Sequence, residues 1–211
     1  MVKPVVISSI GVVGAGAIAT GVFFANKSDT YSSYLEKIGR KLLGKEETGW
    51  DTLKTRYDAE NEGLQITLSG QTTPAKTIEV QQLKSWCSEN ANKTFTKKED
   101  TTFLSVSAWC TAPKTIEGQI GTSKTILNVA KVTSGTTNNH ENLWKGKETE
   151  YKKSTNTNLI KEIQSNEEKA DIATSAVTVD KLKDWCNLSK GKHFKHDKDT
   201  RYLKFLEWCV N

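Results

Sequence analysis

Residues 80–87 read VQQLKSWC, and residues 179–186 read VDKLKDWC. A second Trp-Cys follows each of these at the same distance, SAWC ending at Cys110 and LEWC ending at Cys209 (110 − 87 and 209 − 186 are both 23). The four dipeptides Trp86-Cys87, Trp109-Cys110, Trp185-Cys186 and Trp208-Cys209 contain every cysteine and four of the six tryptophans. The second pair repeats the first at an offset of 99 (185 − 86). Over positions 80 to 110 the two stretches align without a gap and share twelve of 31 residues: Val80, Leu83, Lys84, Trp86, Cys87, Lys93, Phe95, Asp100, Thr101, Leu104, Trp109 and Cys110. Agreement fixed on such rare residue types argues for an internal duplication.

The pattern within each stretch is helical. Val80, Leu83, Trp86 and Cys87 recur at helical spacing, as do Val179, Leu182, Trp185 and Cys186. Asp100 and Asp199 are placed to cap a following helix, with Phe103, Val106 and Cys110 or Tyr202, Phe205 and Cys209 on one face. A strand is the rival there, because Leu104, Val106 and Ala108 alternate with serines. Leu206-Glu207 breaks that alternation in the second copy, so the helix is preferred. Upstream, Trp50 and Tyr57 are seven apart, and so are Trp144 and Tyr151, which predicts a first helix capped by Thr48 in one copy and Asn142 in the other. The pieces that follow differ in length and are read as variable. Ile126, Leu127, Val129 and Val132 read as a short helix or strand belonging to the first copy.

Two helices that each end in Trp-Cys can be clasped by one bond. Four cysteines allow three connectivities, and the duplication favours Cys87–Cys110 with Cys186–Cys209. Four free, buried cysteines acting as small hydrophobes are the alternative. Trp50, Trp86, Trp109, Trp144, Trp185 and Trp208 read as structural aromatics. Such residues suit a chain of 211 residues that is only 36% hydrophobic, with mean hydropathy −0.56.

Residues 4–25 carry no charge and are long enough to span a hydrocarbon core as a helix. They read as an uncleaved signal anchor, with cleavage after Ala19 as the alternative. Basic residues after the run (Lys27, Lys37, Arg40, Lys41) would hold the body in the cytoplasm. Paired cysteines argue for the oxidising side, and they decide the placement. Residues 33–44 read as a juxtamembrane amphipathic helix, capped by Ser33 with Glu36 and stopped by Gly44. The expected architecture is mainly α: an anchor over 1–27, a juxtamembrane helix over 28–47, a first copy over 48–132, a linker over 133–141 and a second copy over 142–211.

The composition excludes more chemistry than it suggests. The net charge of +5 is mild and mixed along the chain, with no basic-aromatic run, so nucleic acid is not an expected partner. Cys186, His193, His196 and Cys209 form a zinc-type donor set, but Thr94 and Lys97 stand where the first copy would need the histidines. No phosphate loop, GxSxG or HExxH motif occurs outside the apolar run. No catalytic residue, metal or cofactor is therefore expected.

The layout of a short apolar anchor, a body rich in Lys, Asn and Thr, and LKxWC…xWC segments resembles the large paralogous families of uncharacterised proteins in haemotropic mycoplasmas. Leu83-Lys84-Ser85-Trp86-Cys87 with Ala108-Trp109-Cys110 carry the resemblance, as do Leu182-Lys183-Asp184-Trp185-Cys186 with Glu207-Trp208-Cys209. The resemblance implies a single-pass membrane-anchored surface protein with an extracytoplasmic body, facing a host partner or serving as an antigenic variant. The alternatives are an extracytoplasmic enzyme or enzyme accessory with an unrecognised site, and a cytoplasm-facing tethered protein.

Overall fold

The computed structural model describes residues 29–133 and 137–211. The apolar run 4–25 lies outside them, and no helix among the described residues is long and apolar enough to cross a membrane. The described chain is mainly helical. Its hydrophobic side chains gather into two cores, one drawn from Tyr31 to Cys110 and the other from Ile116 to Val210. The first unit runs α1 (Tyr31–Lys37), α2 (Trp50–Glu60), α3 (Val80–Asn90) and α4 (Thr101–Trp109). The second runs α5 (Ile116–Ile120), α6 (Glu141–Tyr151), a hairpin of β1 (Lys161–Gln164) and β2 (Glu167–Asp171), α7 (Val179–Lys190) and α8 (Thr200–Trp208).

Each core is built around a disulfide-linked helix pair. Cys87–Cys110 joins α3 to the end of α4, and Cys186–Cys209 joins α7 to the end of α8. Asp100 and Asp199 cap α4 and α8 through their side chains, accepting from the Phe103 and Tyr202 amides at 3.0 Å. These helices fill the stretch where a strand was the rival.

The two units make the same set of long-range bonds. Tyr57 Oη donates to Ala75 O and accepts from Ile66 N, nine residues along. Tyr151 Oη does the same with Ile172 O and Ile160 N. The Trp109 and Trp208 indoles donate to Leu64 O and Asn158 O at 2.9 and 3.0 Å. Correspondence extends upstream of the helix pairs. Thr30 bridges Thr94 as Thr115 bridges His193, and Leu42 bridges Thr111 as Ile126 bridges Val210. Leu43 N and Leu127 N each donate at 2.8 Å to the carbonyl of the unit's second cysteine.

The structure corrects several boundaries. The helix expected over 33–44 is α1, capped by Thr30 with Ser33 in the box position. It stops at Gly39, whose φ of +76° a glycine adopts without strain. Leu42 and Leu43 continue as extended chain, since pairing with Thr111 and Cys110 satisfies their backbone better than another helical turn would. Tyr31 and Leu35 are buried, and Tyr34 stacks on Phe95 at 3.8 Å, so α1 is docked on the first core. Gly49, not Thr48, caps α2 with φ +118°, and His140, not Asn142, precedes α6. Ile126 and Leu127 belong to the second core rather than to a 48–132 unit, because their backbone pairs with the chain after Trp208. Within 133–141, Asn138 is buried and bonds Asn128 O and Ala130 O, so part of the expected linker is structural. The variable piece of the second unit forms the β1–β2 hairpin. Its two-residue turn, Ser165-Asn166, has positive φ at both positions, the geometry that suits the twist of paired strands.

Each tyrosine hydroxyl satisfies a buried amide that has no other access to water. Replacing Tyr57 or Tyr151 with Phe is expected to destabilise the protein by about 1–3 kcal/mol. The two losses should be similar, as measured by urea unfolding.

Candidate functional site

All six tryptophans are buried, so none offers a free stacking face. Trp86 and Trp185 pack beside the first cysteine of each disulfide, and Trp109 and Trp208 beside the second. Trp50 and Trp144 donate to Gly44 O and Asn128 O at 2.9 and 2.7 Å, pinning the start of α2 and α6 to the preceding extended segment. All four cysteines are oxidised, which leaves no thiol to act as nucleophile or metal ligand.

The densest polar cluster lies where the two units meet. Arg40 reaches from the segment after α1. Its Nη1 donates to Ser107 Oγ and Lys195 O at 2.6 Å each, and its Nη2 to Ser107 O at 2.8 Å and Thr111 Oγ1 at 2.6 Å. The guanidinium carbon also lies 4.8 Å from the centre of the Phe194 ring. Its partners are neutral, and burial pulls its pKa down to about 10, with Asp197 opposing. His193 stacks on Trp109 from the other side, ring centres 5.4 Å apart. Its Nε2 lies 2.7 Å from Ala108 O. A carbonyl only accepts, so Nε2 carries the proton. Glu60 accepts from the His193 amide at 3.2 Å and pairs with Arg56. His196 is buried, and its Nδ1 has no hydrogen-bond partner.

A cavity of about 150 Å³ opens beside Arg40, lined by Tyr34, Ile38, Lys98, Phe103, Phe194 and Asp197. It sets the buried Arg40 guanidinium, Lys98 and Asp197 around aromatic walls.

The zinc-type set is divided by the fold. Cys186 and Cys209 are bonded to each other, His193 is committed to Ala108, and His196 lies in the junction. Among the described residues no group of His, Cys, Asp and Glu is arranged to hold a metal ion. His140, isolated in the sequence, accepts from Asn128 N through Nδ1 at 2.8 Å and precedes α6. The sequence reading missed Arg40, Glu60 and the structural role of His193. The available signal was α4 itself. Ser105, Val106, Ser107 and Ala108 carry no charge on any face, which marks a helix covered all round.

No family model matches the chain, no curated protein is similar to it, and no solved structure resembles it.

The junction histidines give a signed pH dependence. Burial holds both His193 and His196 below the ordinary imidazole value of 6.5; the Ala108 bond and Glu60 oppose this at His193, and Asp199 and Asp197 oppose it at His196. The unfolded chain therefore takes up protons first, so this part of the stability is complete above about pH 6.5 and lost as pH falls below it. The urea midpoint is expected to stay flat from pH 8 to 7 and to drop between about pH 6.5 and 5, above the carboxylate range. A His193→Gln, His196→Gln double variant should lose most of that drop.

Proposed function

We propose that this chain is the extracytoplasmic body of a membrane-anchored surface protein. On this reading it is a non-catalytic interaction or antigenic module made by duplicating one helical unit. The two oxidised cysteine pairs carry the proposal. Both pairs close equivalent helix hairpins, and such bonds persist outside the reducing cytosol. Duplication is supported by the recurrence of the Tyr57 and Tyr151 bonds, the two indole–carbonyl bonds and the four isolated bridges. What the units share is interior scaffold. What differs lies at the surface, as in Ser85 against Asp184, or at the junction, as in Thr94 against the buried His193 and the buried Ala108 against Glu207. This is the division expected when selection keeps a fold and varies its contacts. The resemblance to the haemotropic mycoplasma surface families agrees with this reading, as does the uncharged run 4–25 as an anchor.

Thiol labelling of intact cells checks the placement. A membrane-impermeant maleimide should label the protein only after an impermeant reductant has been added. Labelling that needs lysis, and no reductant, would place the body in the cytoplasm.

A further inference from the structure

The two units differ most in the link that leads into the Trp50 and Trp144 helices. The indole of Trp50 bonds the carbonyl six positions back, and that of Trp144 bonds one sixteen back. The second unit thus carries ten extra residues at this point (16 − 6). Part of this insertion lies on its own core. Val129 packs against the buried cluster, Lys131 pairs with Asp184 on α7 at 2.8 Å, and Asn138 holds the Asn128 and Ala130 carbonyls. Beneath it Leu127 and Lys183 are each 1% exposed, and Cys186 is fully buried.

Among the described residues the first unit has no such cover. Leu42, Leu43, Trp50, Lys84, Ser88 and Ala91 line an open, mainly apolar groove of about 260 Å³ beside the Cys87–Cys110 bond. Leu43 and Lys84, the counterparts of Leu127 and Lys183, are only half-buried. The charges differ as well. Lys183 is paired at 2.7 Å with Glu141, three positions before Trp144. Glu47 stands three before Trp50, but it turns to Lys41 and the Gly44 amide. Lys84 is left over the Trp50 ring at 5.9 Å, and no carboxylate among the described residues pairs with it.

We propose that this groove is a docking site for a short acidic-apolar peptide segment of a partner protein. The occupant supplies what the second unit supplies to itself: a small branched apolar side chain on the core, as Val129 is, and a carboxylate for Lys84, as Glu141 is for Lys183. A partner meeting Lys84 and Lys45 with negative charge matches the rim. The inference rests on the interaction-module reading and names its partner chemistry.

The probe follows from the second unit's own cover. It is the capped pentapeptide Asn-Val-Ala-Glu-Val, which is residues 128–132 with Glu in place of Lys131. Titrated into the full-length protein and followed by amide and indole NMR shifts, it should move the Trp50 indole, Lys84 and Ser88 saturably. Lys84→Met should weaken it by about tenfold, the size expected for one charge-assisted bond in a partly dry site. Ser88→Trp, an exposed substitution that fills the groove, should abolish binding without altering the remaining spectrum. The native-sequence peptide Asn-Val-Ala-Lys-Val should bind more weakly than the Glu form. Shifts that do not saturate, that centre elsewhere, or that are indifferent to Lys84→Met would overturn the proposal. Such a result would leave the placement at the cell surface standing, since thiol labelling tests that separately.

Discussion

The covalent clasp between two helix ends is the constraint on which both cores depend. Each unit has fewer than a hundred residues and draws on a chain that is 36% hydrophobic. Units of this size bury a smaller share of their surface than larger domains do. A bond closing a separation of 23 residues contributes roughly 3 kcal/mol by restricting the unfolded chain. It also fixes where the tryptophans sit. Trp86 and Trp109, and Trp185 and Trp208, are each adjacent to a bonded sulfur, so closing the bond places two large aromatics in one core. The indole and phenol groups then reach outward to carbonyls of the long connection, which organises a segment with little regular structure of its own.

The same helix in two settings shows how the units are joined. On α4 the positions Ser105, Ser107 and Ala108 are small and buried, because the His193–His196 loop and Arg40 lie against them. At the matching positions α8 carries Lys204, Leu206 and Glu207, and Glu207 is exposed. The carbonyl that accepts from His193 in the first unit is that of Ala108. Its counterpart, Glu207 O, accepts from Lys147 at 2.5 Å. The Lys147 ammonium thus does locally what the neighbouring unit's imidazole does at the junction. The outer face carries charge where the inner face is packed.

The helices and their covalent links were legible because their signals are local or fixed on rare residues. Leu83, Trp86 and Cys87 mark a helical stripe, Asp100 and Asp199 mark caps, and matched spacing selects the cysteine partners. Where the reading failed, long-range pairing outweighed local preference. Leu42 continues a helical pattern after Ile38, yet Thr111 takes it as a bridge partner. Ile126 and Leu127 are near Cys110 in sequence but pair with the residues around Cys209. Thr30-Tyr31 and Thr115-Ile116 share too few identities to reveal that they fill one position in both units. The junction was hidden for the same reason. Arg40 and Lys195 are far apart in sequence, and only the folded chain shows that one basic residue bonds the other's carbonyl.

Change between the units is concentrated in the links, and the physics of loops explains why. Lengthening a surface connection costs little, since closure entropy rises only with the logarithm of its length. A changed core residue costs kilocalories, because packing tolerates neither voids nor crowding. The ten further residues between Leu127 and Trp144, against Leu43 to Trp50, therefore come at small cost to stability. One glutamate differs with the link: Glu141 pairs with the buried Lys183, whereas Glu47 turns to Lys41 and the Gly44 amide. Among the described residues one face is thus covered and its counterpart open. The disulfide, the tryptophans and the tyrosine bonds are alike in both units.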